Sequence, residues 1–292
     1  MSDTPVAMAP AVIHPCPRDE NCRYCNGTVP PAERLDWHFL DAAWCICLQS
    51  RDDRATQAAQ EFHRVGLCQL VSFYRPARHP QKGIVGSWES HRAVARLAQE
   101  RGTERTLVCE DDVLFDANLS PSVLARVAAG LESLGPDWNI YHLGHWPLRA
   151  CFVHPHVLKT ASACAHAYVA SPRLTAWLAE RPYGSPVAMN RGVGKALDAA
   201  FAKLPEVYAY FPMIAIQRVS RSDNFVTTGR RKKKLRHFVT RSRYREWLLC
   251  NLMKPSEIFA VLVSPVWWLV DRFRGRFYAD MRPAVISPPK AS

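Results

Sequence analysis

The stretch TLVCEDDVLF, residues 106–115, places three acidic residues directly behind an apolar run. A short apolar run bounded by polar residues predicts a buried strand. Ionised carboxylates in adjacent positions repel one another and resist burial, so they need either solvent or a neighbour of opposite charge. The segments around this stretch therefore decide both the fold and the role of Glu110, Asp111 and Asp112.

Strand-like and helix-like patterns alternate on both sides of the acidic triplet. We predict strands at residues 43–48, 68–74, 105–115, 138–144 and 165–171, and helices at residues 54–67, 87–102, 120–135 and 172–181. Gly66 can end the first of these helices, and Ser120 is the expected N-cap of the third, with Pro121 at its first position. Such alternation predicts an α/β fold with a mainly parallel sheet flanked by helices. In open sheets of this kind, ligands bind beyond the carboxyl ends of the strands, which is where the triplet lies.

The spacing of Glu110 and Asp112 suggests a metal site. One residue separates them, so at a strand end both side chains fall on one face. Two carboxylates on one face can hold Mg²⁺ or Mn²⁺, and such a cation stabilises a diphosphate as a leaving group. The alternative is a solvated acidic turn, which the triplet taken alone favours.

Six segments of the chain stand in a recognisable order and spacing. They are AWCICLQSRDDRATQAAQEFHRVGL (43–67), KGIVGSWESHRAV (82–94), LVCEDDV (107–113), DWNIYHLG (137–144), AHAYVAS (165–171) and YAYFPMIAIQRVSRSDN (208–224). Together they resemble glycosyltransferase family 25, including its Gly-x-x-Gly-x-x-x-Ser-His element and its Glu-Asp-Asp strand end. Two departures are Ser87, where the family usually has Cys, and the sequence LDAAF around Asp198, where it usually has Asp-Trp.

The resemblance implies a GT-A-like fold, a UDP-sugar donor and transfer of galactose or a related hexose to a saccharide acceptor such as lipooligosaccharide or the LPS core. Glu110 and Asp112 would hold Mn²⁺ or Mg²⁺ on the donor diphosphate. The predicted donor-binding residues are Arg51, Arg54, Ser90, His91, Asp111 and Gln217. Inverting transfer also needs a carboxylate that accepts the proton of the acceptor hydroxyl, and Asp198 and Asp223 are the candidates.

Each of these residues also has an ordinary structural interpretation. The two arginines can be solvated surface residues, and the two aspartates can be turn residues with satisfied hydrogen bonds. His91 can be a hydrogen-bonding residue at a helix start, and Gln217 can cap a strand.

The N-terminal cysteines suggest a zinc site. Cys22 and Cys25 have the spacing of a ligand pair, and Cys16 and His14 lie close to them in the sequence. We therefore predict a possible structural zinc site formed by Cys16, Cys22 and Cys25 with His14. The alternative is a disordered tail with free thiols.

Most of the formal net charge of +12 lies in one segment. Residues 218–245 hold eleven Lys or Arg against one acidic residue, Asp223, so the rest of the chain carries about +2. An apolar run with Trp267 and Trp268 follows and is interrupted by Pro265. A basic cluster beside an apolar, Trp-rich run predicts contact with an anionic membrane surface, and a basic helix packed on its own domain is the alternative.

These patterns divide the chain into an N-terminal cysteine-containing appendage (1–36), a glycosyltransferase domain (37–229) and a basic, partly apolar C-terminal tail (230–292). The N-terminus lacks the pattern of a signal peptide, and no long uninterrupted apolar stretch is present. We therefore predict a cytoplasmic enzyme, peripheral on the inner membrane. There are two rival functions. One is a nucleic-acid-binding protein that uses the basic segment, although nucleic acid is a less favoured partner than the membrane. The other is a non-catalytic scaffold of the same family.

Overall fold

A computed structural model of the chain describes residues 11–185, 196–218, 256–263 and 265–266. Its strands are β1 (Val12–Pro15), β2 (Ala42–Ile46), β3 (Val71–Arg75), β4 (Thr106–Glu110), β5 (Val113–Phe115), β6 (Ile140–His154), β7 (Val157–Ala170), β8 (Val207–Tyr210) and β9 (Ala215–Gln217). Its helices are α1 (Asp52–Val65), α2 (Gly83–Glu100), α3 (Pro121–Glu132), α4 (Pro172–Ala179) and α5 (Leu197–Phe201). Residues 256–263 are also helical.

Seven strands form one large sheet in the order β1-β3-β2-β4-β7-β6-β8. β2 pairs in parallel with β3 and with β4, and β6 pairs in parallel with β8. β6 and β7 form a long antiparallel hairpin, so β7 returns beside β4 in the antiparallel direction. The predicted α/β fold with helices around a sheet is confirmed, but the sheet is mixed rather than mainly parallel.

Local signals at the ends of helices act as predicted. Gly66 ends α1 with a left-handed φ of 76°, and its N–H donates to the Phe62 carbonyl. Ser120 caps α3, with its hydroxyl accepting from the Val123 N–H, and Pro121 occupies the first helical position.

The two faces of the sheet pack into separate cores. On one face, Leu107 and Cys109 of β4 belong to a core that includes Phe62 of α1 and Leu124 of α3. On the other face, Val108 belongs to a core that includes Trp88, Leu174, Leu178 and Phe201. Because side chains alternate along a strand, β4 delivers its last residues towards helices on both sides of the sheet.

The predicted single strand over residues 105–115 is wrong. β4 ends at Glu110, the chain turns at Asp111 and Asp112, and β5 pairs with β9 in a separate two-stranded sheet. The Asp112 carbonyl accepts from the Arg218 N–H at 2.6 Å, which ties the turn to the end of β9. The turn lets consecutive carboxylates leave the sheet instead of facing both of its buried sides.

The segment before residue 36 packs on the same structure. β1 pairs with β3, and Cys16, Cys22 and Leu35 join the core that contains Phe62. The division of the chain into three domains stays a prediction. Within the described ranges, no helix is long and apolar enough to cross a bilayer.

Candidate functional site

The acidic triplet lies where two parallel strands end together. Glu110, the last residue of β4, is in register with Ile46, the last residue of β2. α1 begins shortly after β2, at Asp52. This is the edge of a parallel sheet at which ligands usually bind, and three carboxylates are concentrated there.

Asp111 is neutralised by Arg54 of α1. A guanidinium nitrogen, Nη1, lies 2.8 Å from the Asp111 Oδ1, and the two side chains are only 8% and 10% exposed. Burial raises the pKa of Asp111 even though Arg54 opposes the shift. The pair is therefore a buried ion pair that joins α1 to the turn after β4. Removing one member would leave the other as an uncompensated buried charge.

Asp112 is the least compensated member of the triplet. Its Oδ2 accepts from the Gln217 side-chain amide at 3.0 Å. Its Oδ1 is buried and has no hydrogen-bond partner among the described residues. Burial, followed by the negative charges of Glu110 and Asp111, raises the pKa of Asp112 to about 8.

Glu110 is held by a buried histidine. The His91 Nε2 lies 3.4 Å from the Glu110 Oε1, and the His91 Nδ1 lies 2.9 Å from the Tyr168 hydroxyl. Burial works against ionisation of Glu110, yet the hydrogen bond with His91 and nearby positive charge, including that of Arg54, together lower the pKa of Glu110. The Glu110 side chain remains 26% exposed, so one ionised carboxylate of the triplet reaches solvent.

The buried Oδ1 of Asp112 and the partly exposed carboxylate of Glu110 fit a divalent cation. Carboxylate oxygens suit Mg²⁺ and Mn²⁺, and a cation would offset the negative charge that raises the pKa of Asp112. The triplet does not supply three ligand atoms around one point. A cation there would therefore need water or substrate oxygens to complete its shell.

Two other predicted donor-binding residues are engaged locally. Arg51 donates to both carboxylate oxygens of Asp53, at 2.8 Å each, within the first turn of α1. The Ser90 hydroxyl donates to the Gly86 carbonyl at 2.6 Å inside α2. Their roles in donor binding stay predictions.

Of the two candidate bases, the structure describes one. Asp198 lies in the first turn of α5, where its carboxylate accepts from the Ala199 N–H at 2.8 Å. The negative charges of Glu110, Asp198 and Asp112 each contribute, after burial, to raising the pKa of Cys164 of β7. Asp223 lies outside the described residues.

Sequence reasoning missed several residues of β6 and β7 beside the triplet. Cys164 has a left-handed φ of 77°, a conformation that non-glycine residues rarely adopt and that often marks functional sites. Burial raises its pKa to about 12. Polar residues at alternate positions in CAHAY were the available signal for Cys164, His166 and Tyr168.

Two histidines near the triplet are fully buried. No ring nitrogen of His142 or His166 has a hydrogen-bond partner among the described residues, although the Ala215 carbonyl lies close to the His166 ring. Burial lowers the pKa of His166 to about 4 and that of His142 well below its usual value. Both rings are therefore neutral at pH 7.

Part of the C-terminal tail packs on this domain. Glu257 is fully buried, with its Oε1 2.7 Å from the His145 Nε2 and its Oε2 accepting from the Met213 N–H at 3.0 Å. On the same helical segment, Phe259 and Leu262 are 66% and 71% exposed. The basic residues 230–245 and the Trp267–Trp268 pair lie outside the described residues.

A second cluster lies at the far end of α1. Cys22 and Cys25 converge there with His63 and Cys68, and one ligand atom from each lies within 4.8 Å of the others. This cluster can bind a metal, but it differs from the predicted set. The Cys16 N–H instead donates to the Val71 carbonyl, its side chain packs in the core, and the His14 ring stacks on Phe73.

Comparisons with known proteins identify no family. No protein-family model matches the chain, and no curated protein matches its sequence. Among solved structures, it is similar to UDP-glucose pyrophosphorylase complexed with UDP-glucose, with a TM-score of 0.32 and 14% sequence identity. The match covers 56% of this chain and 65% of that chain, so less than two thirds of the neighbour is spanned. A likeness at this level establishes neither the fold nor the activity.

Proposed function

We propose that the chain is a metal-dependent glycosyltransferase that moves a hexose, galactose in particular, from a UDP-sugar to a saccharide acceptor such as the LPS core, with inversion. The observation that carries the proposal is the buried Asp112 oxygen, which has no partner among the described residues, beside the ionised Glu110 at the shared carboxyl edge of β2 and β4. The resemblance of the six sequence segments to glycosyltransferase family 25 supports a UDP-sugar as the donor.

Each residue of the triplet has a separate task in this proposal. Glu110 and Asp112 hold Mn²⁺ or Mg²⁺, which when bound would offset negative charge on the diphosphate leaving group. Asp111, paired with Arg54, fixes α1 against the turn and faces the donor ribose. His91 and Gln217 position Glu110 and Asp112 through the contacts described above.

The acceptor hydroxyl must lose a proton as the sugar is transferred, and a carboxylate near the triplet suits that step. Asp198 is the described candidate because its charge acts on Cys164 of β7, as do the charges of Glu110 and Asp112. Its Oδ1 accepts from the Ala199 N–H, and a carboxylate has a second oxygen that can accept from a hydroxyl. Asp223 stays the second candidate.

The test is a panel of UDP-sugars and free UDP, screened for thermal stabilisation of the full chain with Mn²⁺, with Mg²⁺ and with neither. We expect UDP-galactose to raise Tm only when a divalent cation is present. Stabilisation without any cation would remove the metal from the proposal. No stabilisation by any donor would favour the non-catalytic scaffold.

In this proposal the C-terminal tail binds an anionic membrane surface, on the cytoplasmic side of the inner membrane. The support is a helical segment that buries Glu257 and leaves Phe259 and Leu262 exposed. Changing Phe259 and Leu262 to Glu should reduce co-sedimentation with phosphatidylglycerol vesicles at low salt. The matched control is Val153→Glu, which alters an exposed apolar residue of β6. Equal sedimentation of both variants and the unaltered chain would contradict this location.

A further inference from the structure

The cluster at the end of α1 has the donor set and the spacing of a tetrahedral metal site. The Cys22 and Cys68 sulfurs are 3.8 Å apart, and the Cys25 and Cys68 sulfurs are 3.7 Å apart. The Cys25 sulfur lies 3.6 Å from the His63 Nδ1. With zinc–sulfur and zinc–nitrogen bonds of about 2.3 and 2.0–2.1 Å, a tetrahedron requires separations of about 3.8 Å between sulfurs and about 3.6 Å between sulfur and nitrogen.

We propose that Cys22, Cys25, His63 and Cys68 bind a structural Zn²⁺ ion that fastens the N-terminal segment to the end of α1. Three thiolates and one imidazole suit Zn²⁺ better than Mg²⁺ or Mn²⁺. Four protein ligands leave no position open for substrate, which is typical of a structural rather than a catalytic zinc site.

The backbone around the ligands is arranged to support them. The Cys25 N–H donates to the Cys22 sulfur at 3.4 Å, a contact that stabilises negative charge on that sulfur. His63 lies in the last turn of α1, and Cys68 follows in the short 3₁₀ turn Leu67–Gln69. Gly66 joins these two ligands with a left-handed φ of 76°, and a side chain there would overlap the Tyr24 ring.

A disulfide fits the distances in this cluster less well than a metal site does. Sulfur–sulfur separations of 3.7 and 3.8 Å are far longer than the bond of about 2.05 Å in a disulfide. Cys68 is almost equally distant from Cys22 and Cys25, so one disulfide would leave the third thiol unused beside His63. All nine cysteines among the described residues are free.

The zinc site is separate from the acidic triplet. His63 follows Arg54 by nine residues of α1, a rise of about 14 Å along the helix axis. Zinc here would therefore act on the fold of the N-terminal segment and would not take part in donor binding. Its loss and the loss of donor binding are independent outcomes.

The test is metal analysis of the full chain, purified without a histidine tag and dialysed against a weak chelator. We expect about one zinc per chain, as for a closed four-ligand site. Cys25→Ser and His63→Ala should each remove most of the bound zinc. The matched controls are Cys16→Ala, which alters a nearby buried cysteine outside the cluster, and His38→Ala, which alters an exposed histidine. Both controls should retain zinc.

Cobalt exchange keeps the test decisive even if a ligand variant fails to fold. Co²⁺ bound by the unaltered chain should show thiolate charge-transfer bands and the strong visible bands of tetrahedral geometry. A zinc-free chain with reactive thiols, a disulfide between Cys68 and either Cys22 or Cys25, or iron in place of zinc would each overturn the proposal. Zinc that survives Cys25→Ser but is lost in Cys16→Ala would overturn the ligand assignment.

Discussion

A cluster of potential metal ligands lies at each end of α1. The two clusters differ in how many of their ligand atoms already have partners or lie at the distances of a complete metal shell. At the start of the helix, Arg54 balances Asp111, while Asp112 keeps a buried oxygen with no partner among the described residues. At the other end, the atoms of Cys25, His63 and Cys68 already have the separations of a tetrahedral shell.

This difference distinguishes a site that exchanges its metal ion from a site that retains it. A closed set of four protein ligands favours a resident ion that stabilises the fold. A buried Asp112 oxygen without a partner among the described residues disfavours the empty state, and the partly exposed Glu110 carboxylate leaves room for an ion that arrives with its substrate. Perturbing each end of α1 in turn tests that distinction.

The largest effect should follow from removing zinc. Structural zinc contributes about 10–16 kcal/mol in small zinc-finger peptides, and only part of that applies to a chain with a large core of its own. We expect a strong chelator to lower Tm by about 10 °C or more, by differential scanning calorimetry. After the chelator is removed and Mn²⁺ is restored, the affinity for UDP-sugar should change by less than about twofold, because Arg54, which contacts Asp111, lies about 14 Å from His63 along α1. An unchanged Tm after complete zinc removal would contradict the structural role.

A smaller effect should appear when Asp112 is made neutral. The pKa of Asp112 in the folded chain is about 8, above its ordinary value of 3.8. Ionisation of Asp112 therefore destabilises the folded chain. This destabilisation is absent below pH 3.8, grows as pH rises and reaches its full value above pH 8. A pKa difference of one between the folded and unfolded chain corresponds to about 1.4 kcal/mol. Without added Mn²⁺ or Mg²⁺, Asp112→Asn should therefore raise the Tm of the zinc-containing chain by about 3 °C or more at about pH 8, and by less at about pH 5.

Glu132→Gln is the matched control for that experiment, because Glu132 is an exposed carboxylate at the end of α3. It should show no pH-dependent gain over the unaltered chain. If Asp112→Asn lowers Tm equally at both pH values, Asp112 is an ordinary structural residue.

The smallest effect should separate two left-handed glycines. Gly66 and Gly102 have φ values of 76° and 64°, but a side chain at Gly102 would meet nothing within 4 Å. Both alanine variants carry the cost of the left-handed backbone, about 1–2 kcal/mol. Gly66→Ala should lose about 1 kcal/mol more in urea unfolding, because it also displaces the Tyr24 ring beside the cysteine cluster. Equal losses would show that Tyr24 does not press on Gly66.

The sequence predicted the parts of the fold that local patterns determine. Gly66 and Ser120 lie where their capping roles were expected, and α1 to α4 follow the apolar spacing. The antiparallel hairpin of β6 and β7 was not predicted, because polar residues such as His145 and Ser162 interrupt its alternation and only pairing across the hairpin defines it. The break at Asp111 was missed because an apolar run continues on both sides of it.

The candidate site was predicted in part for a similar reason. Arg54, Asp111, Asp112 and Gln217 were assigned to one site, and the structure brings them together in two contacts. Their roles in binding a donor stay predictions.

The cysteine–histidine cluster at the end of α1 was predicted only in half. Cys22 and Cys25 form a local pair, whereas His63 sits within a helical pattern and Cys68 beside an apolar run. Only the fold shows that these two complete the set.

The central claim is that Asp112 keeps an unsatisfied oxygen in order to hold a cation with a UDP-sugar. The most direct measurement is calorimetric titration of UDP-galactose into the full, zinc-containing chain with and without Mn²⁺, for the unaltered chain, Asp112→Asn and Glu132→Gln. We expect Mn²⁺-dependent binding in the unaltered chain and in Glu132→Gln, and a loss of at least about 100-fold in Asp112→Asn, because removing a ligand should cost more than removing a residue that supports one. Equal donor affinity in Asp112→Asn and the unaltered chain would contradict the claim.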